Sequence, residues 1–352
     1  MHHAKTDIRS LSLEKLKVLF ANKNELAFRG KQVFEWLWKK SATSFDEMTN
    51  LPLSTREWLG QDFIINHIKV EDKQISSDKT IKSSFRLHDG FLVEGVLIPS
   101  DERMTACVSS QVGCSLTCKF CATGKMERER NLNADEIYDQ VVHIRNWAMK
   151  HYNSPLSNIV YMGMGEPLLN YNNVLESIEK ITSPQGLGMS NERITVSTAG
   201  IAKMIKKLAD DEVRFRLAIS LHAANDEKRN AIMPINETNN LDALIESLQY
   251  FHAKTKNRIT FEYIAFKGFN DGIEDAKELM NLCKLANAKV NIIEYNPTGD
   301  DFFEKADTHK VNAFANYLVK NKVHATVRRS RGKDIDAACG QLANKKHSEA
   351  LM

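Results

Sequence analysis

The chain has 352 residues, 42% of them hydrophobic and 26% charged, with a formal net charge of +3. That composition belongs to ordinary folded proteins and excludes disordered, collagen-like, coiled-coil and repeat architectures. So small a net charge means that a nucleic-acid partner has to be argued from local basic runs, at 125–130, at 328–333 and at Lys345 with Lys346.

Residues 1–80 read as helical. Val33, Trp36 and Leu37 are spaced for one helix face, and Ser54 followed by Glu57 has the form of a capping box opening a further helix. Near Lys82 the texture changes, because KSSFRLHDGFLVEGVLIP alternates apolar and polar residues around Asp89-Gly90, a strong hairpin signal. The reading is therefore a helical accessory domain at 1–80, a β-hairpin extension at 81–104, a core at 105–340 and a loose tail at 341–352. Across the core, short β-branched runs at 158–162, 194–198, 215–221, 259–264, 290–295 and 325–328 alternate with amphipathic helical stretches. That rhythm predicts an α/β fold of about six βα units, a partial (β/α)6 barrel. Polar residues or glycines close these runs at Gly165-Glu166, Ser197, Ser220 to His222 and Asn296, on the face where active sites of parallel barrels form. No apolar run reaches the roughly 18 residues of a membrane span, and MHHAKTDIRS lacks a signal-peptide core, so a cytoplasmic protein without a membrane partner is expected.

Cysteines in a cytosolic chain point to metal binding or reactivity, because that compartment keeps thiols reduced. Cys114, Cys118 and Cys121 share one tight loop after the strand that carries Cys107. Three thiolates suit a 4Fe-4S cluster whose fourth iron is open to an outside ligand. A structural zinc site, with Cys107 or a histidine as fourth ligand, also satisfies the spacing, although the chain has one Cys-x-x-Cys element rather than two. Cys283, in a helical stretch with Leu279, Leu282 and Leu285, reads as core.

The loop Cys114-Ser-Leu-Thr-Cys118-Lys-Phe-Cys121, with its aromatic Phe120, resembles the signature of the radical S-adenosyl-L-methionine (SAM) superfamily. Met162-Gly-Met-Gly-Glu-Pro167 resembles that superfamily's glycine-rich turn. Taken with Cys107 and with Asp334-Ile-Asp-Ala-Ala-Cys-Gly-Gln-Leu342, the chain resembles the RlmN/Cfr family of radical SAM RNA adenine methyltransferases from about Glu94 to Leu342. Pro167 and Arg329-Ser-Arg331-Gly332 are closer to the RlmN members than to the Cfr members. The N-terminal third is similar to the family's small helical RNA-binding domain.

The resemblance implies a radical SAM barrel that methylates carbon 2 of adenine in 23S rRNA at the peptidyl-transferase centre, and in tRNA at the adenine 3′ of the anticodon. It implies two SAM molecules per turnover, an electron donor such as flavodoxin or ferredoxin, and action as a monomer. Cys114, Cys118 and Cys121 would hold the cluster. Gly165, Glu166, Ser197, Ser220, Leu221, His222 and Asn296 would contact SAM. Carbon 2, lying between two ring nitrogens, is electron-poor and has no acidic proton, so a methyl cation finds no nucleophile there and radical addition is the workable route. By the resemblance, Cys339 carries the methyl group and is the site of the radical, Glu94 removes the adenine proton, and Cys107 frees the product through a transient disulfide with Cys339. Glu94 lies at strand spacing with Leu92, Val96 and Ile98, on an otherwise apolar face that suits a general base. Arg328, Arg329 and Arg331 flank the reactive segment as candidate phosphate contacts. Two other functions accord with the same residues: a Cfr-type carbon-8 methyltransferase conferring antibiotic resistance with the same cysteines, and a zinc-stabilised RNA-binding protein without catalysis.

Overall fold

The computed structural model describes residues 5–101, 103–299 and 302–344; Lys345, Lys346 and most of the anticipated tail lie outside them. Three helices, α1 (Leu13–Asn22), α2 (Phe28–Trp38) and α3 (Leu53–Asp62), form the N-terminal part, bracketed by β1 (Thr6–Asp7) pairing in parallel with β2 (Phe63–Ile64). Ser12 opens α1 by accepting a hydrogen bond from the Lys15 amide. Leu16, Phe20, Val33, Leu37, Trp38 and Leu59 fill the core between these helices. The anticipated Trp36 sits at its rim instead, donating its indole N–H to Asn50 Oδ1 at 2.6 Å. Ser54 opens nothing: α3 begins one residue earlier with Pro52 as N-cap, because proline supplies the fixed φ that a first turn needs. Capping boxes occur at Ser44 with Glu47 and at Asn133 with Glu136, the latter opening α4 (Ala134–Tyr152).

The helical texture ends at Asp62, and the polar run Lys69–Ile75 is a strand, β3. It is the edge of the sheet and largely exposed, so it carries charges rather than the alternation that would reveal it. β3 pairs with β4 (Ile81–Arg86), β4 with β5 (Leu92–Ser100) and β5 with β6 (Arg103–Cys107), all antiparallel. Asp89-Gly90 lies in the β4–β5 turn as anticipated, with Gly90 at φ +91°.

β6 then pairs in parallel with β9 (Asn158–Tyr161), after the small ribbon of β7 (Gln111–Val112) and β8 (Arg130–Asn131). Parallel neighbours follow in chain order: β10 (Ile194–Thr198), β11 (Arg216–Ser220), β12 (Ile259–Ala265), β13 (Ala288–Glu294) and β14 (Ala325–Arg328). The strand ending at Cys107 therefore heads the six runs read from the sequence. The ten-stranded order runs from β14 to β3 without closing, so the barrel is partial and open along β14. Parallel strands need crossovers, and α4, α5 (Tyr171–Thr182), α6 (Ala202–Asp210), α8 (Leu241–Thr255), α9 (Ile273–Leu285) and α10 (Thr308–Lys320) supply them. Every position of β12 is buried, as expected of a strand covered on both faces. Cys283 is a core residue of α9. Among the described residues no helix is long and apolar enough to cross a membrane.

A buried charge network fixes the N-terminal part to the barrel. Arg9, 6% exposed, pairs with Asp135 and Asp139 of α4 at 2.8 Å each, and Asp139 also accepts from the Ile68 amide. Burial pushes Asp135 up to about 6 against the pull of Arg9. Removing the arginine leaves those carboxylates buried without a counter-ion, so Arg9→Met is expected to cost about 3–5 kcal/mol, read by urea unfolding at neutral pH.

Candidate functional site

The carboxyl ends of the parallel strands surround a cavity of about 220 Å³. Ten of the anticipated catalytic, SAM-contact and cluster residues line it, namely Cys107, Cys114, Cys118, Cys121, Gly165, Glu166, Ser197, Ser220, His222 and Cys339, and so do Arg328, Arg329 and Arg331. Glu94, Leu221 and Asn296 are not among its lining residues.

The three-cysteine loop is anchored at both ends. Gly113 has φ +72°, and a Cβ there would meet the Glu127 carbonyl oxygen at 1.9 Å, so only glycine fits where the loop begins. Further on, the Lys119 amide donates to the Ile232 carbonyl, the Ala122 amide to the Gly340 carbonyl, and the Thr123 hydroxyl to the Leu342 carbonyl at 2.6 Å. The loop thus bridges the barrel and the Cys339 segment. The Leu116 amide donates to Cys114 Sγ at 3.4 Å, the kind of N–H to sulfur bond that supports cluster thiolates. Burial pushes the Cys114 thiol up to about 11 and raises that of Cys118 further, a penalty that bound iron would offset. Among the described residues no three histidine, cysteine or acidic side chains converge on a point that one metal ion could occupy. The donor set, three cysteine sulfurs of one loop lining the cavity, is the one that a 4Fe-4S cluster with an open iron takes.

The glycine-rich turn is held from behind. Gly165 has φ +94°, and a Cβ on it would meet Gln111 Cβ at 2.5 Å. Gln111 accepts from the Glu166 amide at 2.8 Å and donates to Asn131. The Glu166 carboxylate accepts from the amides of Leu168 and Ala199 at 2.9 and 2.7 Å; burial raises its pKa, and those bonds oppose the rise. Ser197 and Ser220 face each other across β10 and β11 with 3.4 Å between hydroxyls. His222 sits at φ +57° with Nδ1 accepting from the Ile264 amide at 3.1 Å, so its proton is on Nε2. Burial pushes its pKa down to about 3, which keeps the ring neutral. Leu221 is wholly buried and contributes its amide, to the Glu262 carbonyl. Asn296 donates to the Cys339 carbonyl at 3.3 Å, and its buried Oδ1 has no partner within the protein, an acceptor that a bound donor would satisfy.

Cys107 and Cys339 are brought together from opposite ends of the core. Both are free thiols, as are the other cysteines. Burial pushes Cys107 up to about 12, with Cys339 adding to the rise. Cys339 is exposed to the cavity, yet enough protein surrounds its sulfur to push the thiol up to about 11, with Glu262 and Cys121 contributing. Arg328 opposes both rises. It also pairs with Glu262 at 3.7 Å while its side chain stays half exposed, and Arg329 and Arg331 line the same cavity. Glu262 is a residue the sequence reading missed. It lines the cavity, accepts from Asn291 at 2.8 Å and keeps one oxygen without a hydrogen bond, but it sits mid-strand among apolar residues with no motif around it.

Glu94 is buried on β5 opposite Ser84, and the face it shares is not apolar. Lys82 of β4, itself buried, brings Nζ to 3.4 Å from Glu94 Oε1 and to 3.4 Å from the Asp336 carbonyl. Oε2 accepts from the amides of Ala343 and Asn344 at 2.9 and 3.3 Å. The anticipated apolar setting is replaced by a cation from the neighbouring strand and a strap of chain just beyond Cys339, neither of which one strand's pattern can reveal.

Comparison with known proteins agrees with this geometry. Residues 108–283 match the model of the radical SAM superfamily, and residues 6–65 match that of the ribosomal RNA large subunit methyltransferase N-terminal domain. A protein of Cytophaga hutchinsonii described as a probable dual-specificity RNA methyltransferase RlmN is 61% identical, with 96% of this chain and 93% of the relative covered. The dual-specificity RNA methyltransferase RlmN of Nitratidesulfovibrio vulgaris is 45% identical over 96% of this chain and 94% of its own. Among solved structures, a radical SAM methyltransferase from Sphaerobacter thermophilus superposes with a TM-score of 0.90 at 37% identity, covering 96% of this chain and 99% of that one.

Proposed function

The chain belongs to the RlmN family of radical SAM RNA methyltransferases, and from that premise we propose that it methylates carbon 2 of adenine in 23S rRNA and in tRNA through a methylated Cys339. The observation that carries the reading is one cavity lined at once by the three-cysteine loop, the Gly165-Glu166 turn, Cys107 and Cys339. Cys114, Cys118 and Cys121 would hold the cluster, which would supply the electron that cleaves SAM to a radical able to take hydrogen from the methylated cysteine. The protein's own residues do the rest. Gly165 and Glu166 shape the turn for the SAM amino end, neutral His222 offers an N–H donor, and Asn296 presents its unpartnered oxygen. Cys339 takes the methyl and joins the adenine, Glu94 accepts the adenine proton, and Cys107 attacks the Cys339 sulfur to release the product. Both thiols are favoured over thiolates by burial, and Arg328 is the cation that acts on both in the opposite sense. The N-terminal helices serve RNA binding, a soluble electron carrier such as flavodoxin or ferredoxin reduces the cluster, and the chain works as a monomer.

The test is methylation of 23S rRNA fragments and tRNA transcripts by anaerobically reconstituted enzyme, with mass spectrometry of the digested nucleosides. 2-Methyladenosine from both RNAs is the expected product. 8-Methyladenosine would assign the chain to the Cfr type, and absence of methylated adenosine with an intact cluster would reject the reading.

Glu94→Gln gives a narrower check. Gln keeps the shape but cannot take a proton, so cleavage of SAM and methylation of Cys339 should continue while turnover falls about 10²- to 10⁴-fold, the range for loss of a general base. Single-turnover product analysis measures it. Unchanged turnover would leave Glu94 with only its contacts to Lys82 and the Ala343–Asn344 amides.

A further inference from the structure

Arg229 is a charged side chain with no solvent exposure at all. It lies on α7 (Asp226–Ile232), and its guanidinium donates to four acceptors. Nε reaches the Leu221 carbonyl at 3.1 Å, Nη2 the carbonyls of Ala199 and Ser220 at 2.6 and 3.3 Å, and Nη1 reaches Asn236 Oδ1 at 2.5 Å. Every one of these acceptors is neutral. Asp226 is near enough to act on it by charge, but its Oδ1 accepts from Asn236 Nδ2 and from the Leu241 amide instead. Among the described residues Arg229 forms no ion pair with a carboxylate. Sequestering a cation from water without a counter-anion is strongly unfavourable.

Besides Asp226, negative charge is available from the cysteine loop. α7 docks on the cysteine loop through the Lys119 amide and the Ile232 carbonyl at 3.0 Å. Cys118 packs against the same apolar cluster as Ala199, Ala223, Ile232 and Met233, the immediate surroundings of Arg229. Cys118 and Asp226 are the two groups near enough to act on the guanidinium by charge, and the Cys118 sulfur becomes negative when it binds iron. A 4Fe-4S core bound by three thiolates carries net negative charge, and reduction adds one more.

We propose that Arg229 is the buried counter-charge of the cluster, a positioning residue that ties the ends of β10 and β11 to α7 while favouring the reduced state of the iron. The proposal rests on Cys114, Cys118 and Cys121 being cluster ligands. It has two consequences. Removing the positive charge makes the cluster harder to reduce. Loading the cluster also relieves an unpaired charge in the parent, so cofactor uptake stabilises the parent more than a neutral variant, by linkage.

The experiment uses the full chain, reconstituted anaerobically without SAM or RNA. Midpoint potentials are read by electron paramagnetic resonance during redox titration, and thermal unfolding is compared before and after cluster loading. Arg229→Gln should shift the potential to more negative values and shrink the gain in melting temperature on loading. Arg229→Lys should keep the potential near the parent value, although it loses the four-acceptor fork. Asn236→Asp sets a carboxylate on Nη1 with the shape preserved and should lower the potential as well, so it decides the matter should Arg229→Gln not fold. A potential unchanged in both Arg229→Gln and Asn236→Asp overturns the proposal. Failure of the parent itself to take up an iron–sulfur cluster would instead overturn the cluster reading beneath it.

Discussion

Cys107→Ala is expected to become covalently bound to its RNA, up to one RNA per enzyme, whereas Cys339→Ala is expected to bind none, although both lose turnover. On the proposed mechanism Cys339 carries the methyl, so without it nothing on the protein joins the adenine. Cys107 would act after the join, and it lines the same cavity as Cys339, as attack on the carrier sulfur requires. Without that attack the adduct remains a carbon–sulfur thioether, which ordinary thiols do not reduce, and it persists in denaturing gels. The double variant should resemble Cys339→Ala. Normal turnover by Cys107→Ala, or cross-linking by Cys339→Ala, would require the two-cysteine mechanism to be abandoned even with the cluster established.

Replacing Cys114, Cys118 or Cys121 singly with Ala should abolish SAM cleavage while leaving the fold in place. A cubane that loses one of three thiolates is unstable or displaced, so 5′-deoxyadenosine release, followed by chromatography, should fall to background. The loop keeps its other anchors, the Lys119, Ala122 and Thr123 bonds, which do not involve sulfur. The apoprotein should therefore lose no more than about 1 kcal/mol of stability, as for a partly exposed substitution. Release of 5′-deoxyadenosine at the parent rate in any of the three would remove the cluster assignment and return the zinc reading to contention.

Two kinds of information separate in this protein. What local sequence carries is whatever depends on neighbours a few positions away. The spacing of Cys114, Cys118 and Cys121, the βα rhythm from 158 to 328, the Asp89-Gly90 turn and the glycine turn at Gly165 are of that kind, since loop reach, strand period and φ are local properties. Even there a locally polar edge strand such as β3 escaped, because an exposed edge has no apolar face to show. Tertiary structure alone determined the partners. Glu94 meets the Ala343 amide across 249 positions, and Lys82 meets the Asp336 carbonyl across 254. Gln111 behind the glycine turn, Glu262 beside Cys339, Arg328 paired with Glu262 and Arg229 against the cysteine loop are also joined across separations that no local pattern spans. Electrostatic character comes from burial and from the charges that packing brings near. The sequence therefore names the groups that react, and the fold sets the protonation and charge balance under which they do so.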